Sequence, residues 1–167
     1  MLGKNFLLYR ICILSGLALS LFYKPVAASA EDDRAALLGI LDQMFQAMID
    51  RDSEAIMALS HDNAQIASLS WDDEGNSRLR FAPENGVPPS EDIWTERYWD
   101  ADVMIEGHIA MVWMPYDFYV NDRFNHCGIN VINFLRADET WKIANITYTM
   151  VKDGSCDTHP DGPPVLD

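Results

Sequence analysis

The chain has 167 residues and a formal net charge of −14 at neutral pH, with 26 acidic against 12 basic side chains. That balance excludes a nucleic-acid binder and a protein that docks on anionic lipid, because both need a basic surface. Apolar residues make up 49% of the sequence, enough to build the core of one domain of ordinary size.

The first thirty residues read as an export signal. Lys4 and Arg10 supply a basic start, Ile11 to Phe22 is an apolar run without charges, and Ala28-Ser29-Ala30 has the small-x-small form of a cleavage site. The run is too short to span a bilayer. Residues 1–30 are therefore expected to be a signal peptide, residues 31–156 one folded domain, and residues 157–167 a flexible tail. Removing the signal takes away three basic residues and no acidic ones, so the remainder carries −17. The expected location is periplasmic or secreted, with no membrane attachment after cleavage. In that oxidising setting the remaining cysteines, Cys127 and Cys156, suggest a disulfide. A free buried thiol at Cys127 and a bridge across a dimer are the rival readings.

Apolar residues at Leu37, Leu38, Leu41, Met44, Phe45, Met48 and Ile49 follow the i, i+3, i+4, i+7 rhythm. They predict an amphipathic helix from Glu31 to Arg51. Glu31, Asp32 and Asp33 lie at its positive end. Ser53 is expected to cap a short second helix ending at Leu59. Ala64 to Trp71 and Ser77 to Phe81 should form a hairpin about the Asp72–Asn76 turn. Pro83 to Pro89 reads as a loop. Ser90 is expected to cap a further helix with Ile93, Trp94 and Tyr98 as its apolar stripe. Val103 to Glu106 is a short strand.

From His108 to Lys152 three long runs rich in β-branched and aromatic residues are parted by Asn121-Asp122 and by Asp138-Glu139. This predicts an antiparallel meander with two-residue hairpin turns. Counting outward from those turns sets Asp117 opposite His126, Trp113 opposite Asn130 and Asn130 opposite Thr147. One face then carries Met111, Trp113, Asp117, His126, Asn130, Phe134, Thr147 and Thr149. The other carries Tyr116, Phe118, Cys127, Ile129, Val131, Ile146 and Tyr148, and is almost wholly apolar. Segregated helices and antiparallel strands give the class α+β.

The helix ending in Arg51-Asp52, the Val112-Trp113-x-Pro-Tyr-x-Phe118 strand, the His126-Cys127-Gly128 segment and the Trp141-Lys142-Ile143 strand resemble the nuclear transport factor 2-like superfamily. The likeness is nearest to its SnoaL-like and lumazine-binding-like bacterial branches and covers most of Asp33 to Lys152. It implies a cone-shaped half-barrel of the cystatin-like kind, a curved antiparallel sheet wrapped around the long N-terminal helix. It also implies a pocket between them and a homodimer through the outer sheet face. The isomerase branch carries a tyrosine donor in its first helix, and this chain has none there, which speaks against steroid isomerisation. The fold hosts many activities and fixes none.

Asp117 and His126, directly opposed, would make a base and its orienting carboxylate; a structural cross-strand pair is the plain alternative. Trp113, Asn130, Thr147, Thr149, Met111 and Phe134 would line the pocket and hold a small, largely apolar molecule. Two other readings stand beside simple binding. One is a proton-transfer enzyme, an isomerase, cyclase or dehydratase. The other is a dimeric scaffold whose pocket is plugged by Trp113, Met111 and Phe134. No metal-ligand spacing and no glycine-rich phosphate loop occurs, so no metal or cofactor is expected.

Overall fold

The computed structural model describes residues 29–82 and 91–164. The expected signal peptide up to Ala28 and the Pro83–Pro89 loop lie outside the described residues. The elements are α1 (Ala30–Ile49), α2 (Ser53–Ala58), β1 (Ser60–Trp71), β2 (Ser77–Phe81), β3 (Trp94–Tyr98), β4 (Asp102–Glu106), β5 (Ile109–Val120), β6 (Arg123–Ala137) and β7 (Thr140–Met150).

Helix α1 begins with a capping box. Ser29 Oγ accepts from the Asp32 N–H, and the Asp32 carboxylate accepts from the Ser29 N–H, satisfying donors that a helix start leaves open. The helix stops where Arg51 takes a left-handed conformation, φ 59°. Asp52, rather than the expected Ser53, caps α2 by accepting from the Ala55 N–H at 2.9 Å.

The strands form one sheet in the order β2-β1-β7-β6-β5-β3, with β4 also paired to β5. The sheet is mixed and not wholly antiparallel, since β1 runs parallel to β7. Such a pair needs a long connection, and the whole of β2 to β6 provides it. The segment expected to be a helix around Ile93 is instead strand β3, antiparallel to β5. Trp94 and Tyr98 lie four residues apart, a spacing that puts two side chains on one side of either a helix or a strand. Their aromatic character and the free edge of β5 decide for the strand.

The turns at Asn121-Asp122 and Asp138-Glu139 have positive φ at both central residues (48° and 63°; 49° and 63°). This is the twist that suits a two-residue hairpin, and Val120 pairs with Arg123 and Ala137 with Thr140 as expected. Beyond the turns the register departs from the sequence reading at two bulges. Tyr119 pairs with Phe124 but Phe118 with His126, leaving Asn125 as an extra residue on β6. Phe134 pairs with Ile143 but Asn133 with Asn145, leaving Ala144 extra on β7. Each inserted residue reverses which side chains share a face. Asp117 consequently faces Cys127, Trp113 faces Val131 and Asn130 faces Tyr148.

The helix packs on the side of β5 that holds Val112, Met114 and Tyr116. Leu37, Leu41, Met44 and Phe45 of α1 form the core with Val112, Met114, Ile132, Phe134, Trp141 and Ile143. Tyr116, Phe118, Ile146 and Tyr148 share this inner side, so they belong to the interior and not to the expected dimer face. The helix start is locked to the sheet by buried Asp33. Its Oδ1 accepts from Arg136 Nη1 at 2.7 Å and from the Trp141 indole N–H at 3.0 Å. The Arg136 guanidinium also lies over the Trp141 ring, 4.7 Å from its centroid, a cation–π contact.

Replacing Asp33 with Ala removes the one acceptor shared by the half-buried Arg136 guanidinium and the buried Trp141 indole. We expect a loss of about 3 kcal/mol in unfolding free energy, measured as a lowered urea midpoint with an unchanged slope.

Candidate functional site

Beyond the stretch covered by α1, the inner side of the sheet is lined by rings around one carboxylate. Glu96 pairs with Phe118, and Phe118 with His126, so the three side chains sit in one row across β3, β5 and β6. The next row along is Tyr98, Tyr116 and Gly128. Gly128 contributes no side chain, and a Cβ there would run into the carbonyl of Thr149. Over this gap Glu96 reaches Asn130, whose Nδ2 donates to Oε1 at 2.6 Å. Tyr148 stands opposite Asn130 on β7.

The rings contact one another. Phe118 and His126 have centroids 4.7 Å apart, Tyr116 and His126 5.6 Å, Tyr116 and Tyr148 6.2 Å, and Trp94 and Phe118 6.2 Å. Tyr116, His126 and Asn130 are buried and form a floor. Trp94, Glu96, Phe118 and Tyr148 are half-buried and form walls. The Tyr116 hydroxyl donates to the Thr149 carbonyl at 2.8 Å.

Burial sets the protonation of this group. Glu96 keeps some solvent contact yet is packed about by protein, and desolvation pushes its carboxyl up to about 7; the Asn130 bond opposes this and the Asp117 charge adds to it. His126 is driven down to about 4, first by burial and then by the Lys152 charge. Its imidazole is therefore neutral, and Nδ1 lies 2.7 Å from Asn125 Oδ1. Burial also raises the Tyr116 and Tyr148 hydroxyls. The arrangement presents a weak acid or base near neutral pH, one amide donor and a set of aromatic surfaces.

The Asp117–His126 pair inferred from the sequence does not form. The Asn125 bulge puts His126 on the inner side and Asp117 on the outer side. There Asp117 is completely buried and accepts from Arg97 Nε at 3.0 Å and Nη2 at 2.6 Å. Met111, Trp113, Thr147 and Thr149 go with Asp117 to the outer side, and Trp113 is 39% exposed. These residues do not line the inner site, and Trp113 and Met111 do not plug it. Thr149 Oγ1 accepts from the Ile129 N–H at 3.0 Å and borders an outer cleft of about 280 Å³ between the sheet and the residues around Cys156. That cleft is remote in the fold from Glu96, on the opposite side of the sheet. Of the expected lining, Asn130 reaches the site, and Phe134 is in the core beneath α1.

Cys127 and Cys156 form a disulfide. The stretch expected to be a flexible tail has anchors as far as Gly162. The His159 N–H donates to Asp117 Oδ2 at 2.9 Å, Arg97 Nη1 donates to the Gly162 carbonyl at 2.6 Å, and the His159 ring meets Trp99 edge-on. Among the described residues no three His, Cys, Asp or Glu side chains converge to hold a metal.

Glu96, Trp94, Tyr116, Phe118 and Tyr148 were not among the expected site residues. The segment bearing Glu96 reads as a helix with Trp94 on its apolar stripe, and Tyr116, Phe118 and Tyr148 read as a dimer face. One signal was present in Trp94-x-Glu96-x-Tyr98: with period 2, the carboxylate falls in phase with two aromatic residues.

Solved structures share this fold. A nuclear transport factor 2-like protein from Shewanella baltica superposes with a TM-score of 0.51 at 16% identity, covering 72% of this chain and 95% of that one. The beta subunit of a provisionally assigned aromatic-ring-hydroxylating dioxygenase from Novosphingobium aromaticivorans gives 0.60 at 15% identity, covering 74% and 93%. A provisionally assigned dehydratase of the nuclear transport factor 2-like family from Streptomyces avermitilis gives 0.55 at 13%, covering 74% and 99%. No protein-family model and no curated protein matches the sequence. The fold is thus nuclear transport factor 2-like and cystatin-like.

Proposed function

We propose that the protein holds a small, largely apolar molecule on the inner side of its sheet, against the Glu96–Asn130 pair. The observation that carries this is a carboxylate and an amide set among half-buried rings, Trp94, Phe118 and Tyr148. Apolar walls with a few converging polar groups are the usual composition of a ligand site. The start of the chain, basic at Lys4 and Arg10 and then apolar from Ile11 to Phe22, and the Cys127–Cys156 bridge support export to an oxidising compartment.

Native mass spectrometry of the exported protein, purified without denaturation, tests the reading. The wild type is expected to carry an extra small-molecule mass or to bind the neutral reporter N-phenyl-1-naphthylamine. Glu96→Trp, which removes the carboxylate and puts a bulky ring in its place, is expected to abolish both. A folded wild type that neither retains a molecule nor binds the reporter would overturn the proposal.

A second reading has its own support. A carboxyl brought to about 7 by burial is matched to taking and returning a proton near neutral pH, so Glu96 would replace Asp117 as the base of an isomerase, cyclase or dehydratase. A base acts when deprotonated, so turnover would rise as pH passes through about 7. The same titration acts on stability. Because the folded carboxyl binds its proton more tightly than the unfolded one, its contribution is full below the unfolded value near 4.5 and is lost as pH rises through about 7. His126, held down to about 4, acts with the opposite sign and offsets this below about pH 6.5, so thermal melts should fall between about pH 6.5 and about pH 8 in the wild type and not in Glu96→Gln. Identical pH profiles for the two proteins would take the perturbed carboxyl out of the account.

The outer side of the sheet supports a homodimer. Trp113, Met104, Ile109 and Leu135 on β4, β5 and β6 are exposed, as are Leu79 and Phe81 on the β2 edge, a breadth of apolar surface seldom left bare. Equilibrium sedimentation should find a dimer that Trp113→Arg converts to a folded monomer; a wild type monomeric at tens of micromolar would contradict it.

A further inference from the structure

Resting on the ligand site just proposed, we infer that its occupant presents an alkylated ammonium group, seated against the Glu96 carboxylate on the side of the sheet that carries the rings of Trp94, Phe118 and Tyr148.

The geometry selects the charge. Glu96 is drawn into an aromatic enclosure with one hydrogen-bond partner among the described residues, Asn130 on Oε1. Its neighbour in sequence, Arg97, points to the other side of the sheet. There Arg97 is committed to Asp117 with two bonds and to the Gly162 carbonyl with a third. Arg136 is engaged by Asp33 and Trp141 at the far end of α1. The His126 ring in the floor stacks on Tyr148 and packs on Phe118, adding a further aromatic face. Lys152 bears on His126, but among the described residues no cation pairs with Glu96, and a bound cation would supply that partner.

The rings select the kind of cation. A bare ammonium or a metal ion needs several hydrogen bonds or oxygen ligands, and one carboxylate with one amide cannot replace its water shell. An alkylated ammonium is weakly hydrated and spreads its charge over methyl groups. Such a head is held by π faces from the side and by a carboxylate from one end. Trp94, the best of the rings for this purpose, is half-buried at the rim, 6.2 Å from Phe118. The strong acidic excess of the chain raises the local concentration of any small cation. The burial that raises the Glu96 carboxyl toward neutrality gives the corollary that a bound cation favours its ionised form.

Choline and its neutral isostere 3,3-dimethylbutan-1-ol have nearly the same shape and differ in charge. Both are titrated into the full-length exported protein and followed by calorimetry and by the tryptophan and tyrosine side-chain NMR signals, with N-phenyl-1-naphthylamine as the site reporter. The wild type is expected to bind choline at least about tenfold more tightly than the isostere. Glu96→Gln, which keeps the size of the side chain and its bond to Asn130, should lose that preference, and Trp94→Leu should weaken choline more than the isostere. Equal binding of the two compounds, or binding of the reporter with neither compound displacing it, would overturn the cation while leaving the pocket. Failure of the reporter itself would overturn the pocket and this inference with it. Persistence of the choline preference in Glu96→Gln would likewise contradict the assignment.

Discussion

One inserted residue decides which chemistry this sheet can display. Asn125 is the extra member of β6 near the β5–β6 turn. After it, every β6 side chain points opposite to where the turn alone would send it. With the insertion, Ile132 and Phe134 join Met114, Val112 and Ala110 beneath the helix, and Asn130 comes to the same side of the sheet. Without it, Asp117 and His126 would stand together on one face. The bulge separates them, so that Asp117 meets Arg97 and His126 meets Phe118 and Tyr148. Two ionisable residues that look like partners in sequence are thereby given different tasks on opposite sides of the sheet.

Each side has its own lock. On the inner side the lock is Asp33, whose carboxylate ties the start of α1 to Arg136 and Trp141. On the outer side it is the Arg97–Asp117 pair, which also holds His159 and Gly162 of the final segment, while the disulfide fixes that segment at Cys156. A buried ion pair is a weak source of net stability, because desolvation offsets attraction, but losing one member leaves a charge stranded. Such pairs fix which parts meet more than they hold them together. This one ties β3, β5 and the last residues into a single unit, on whose inner side Glu96 sits.

Much of the architecture was legible in the sequence. The 3.6-residue rhythm of Leu37, Leu41, Met44 and Phe45 marks α1, and the paired polar turns at Asn121-Asp122 and Asp138-Glu139 mark the meander. These features depend on local chemistry, and local chemistry is written in neighbouring residues. The resemblance of four short segments to the nuclear transport factor 2-like superfamily agrees with the solved structures that share the fold. What was not legible depends on long-range pairing. Neither Asn125 nor Ala144 bears a composition that announces a bulge, and each displaces a face by one residue. Strand β3 was hidden because Trp94 and Tyr98 fit either periodicity, so Glu96 went unnoticed. Trp113, Met111, Thr147 and Thr149 followed Asp117 outward for the same reason, while Asn130 reached the site by way of a register that the turns do not reveal.

The account rests on His126 being an inner, desolvated imidazole and not the partner of a carboxylate. The direct measurement is an NMR pH titration of the histidine ring protons, with His126 assigned by its disappearance in His126→Phe. The structure predicts a ring that remains neutral until the pH falls well below the ordinary histidine value, to about 4. A His126 that titrates above the ordinary value, as an imidazole beside Asp117 would, would show that the bulge is absent and that the two residues face each other after all.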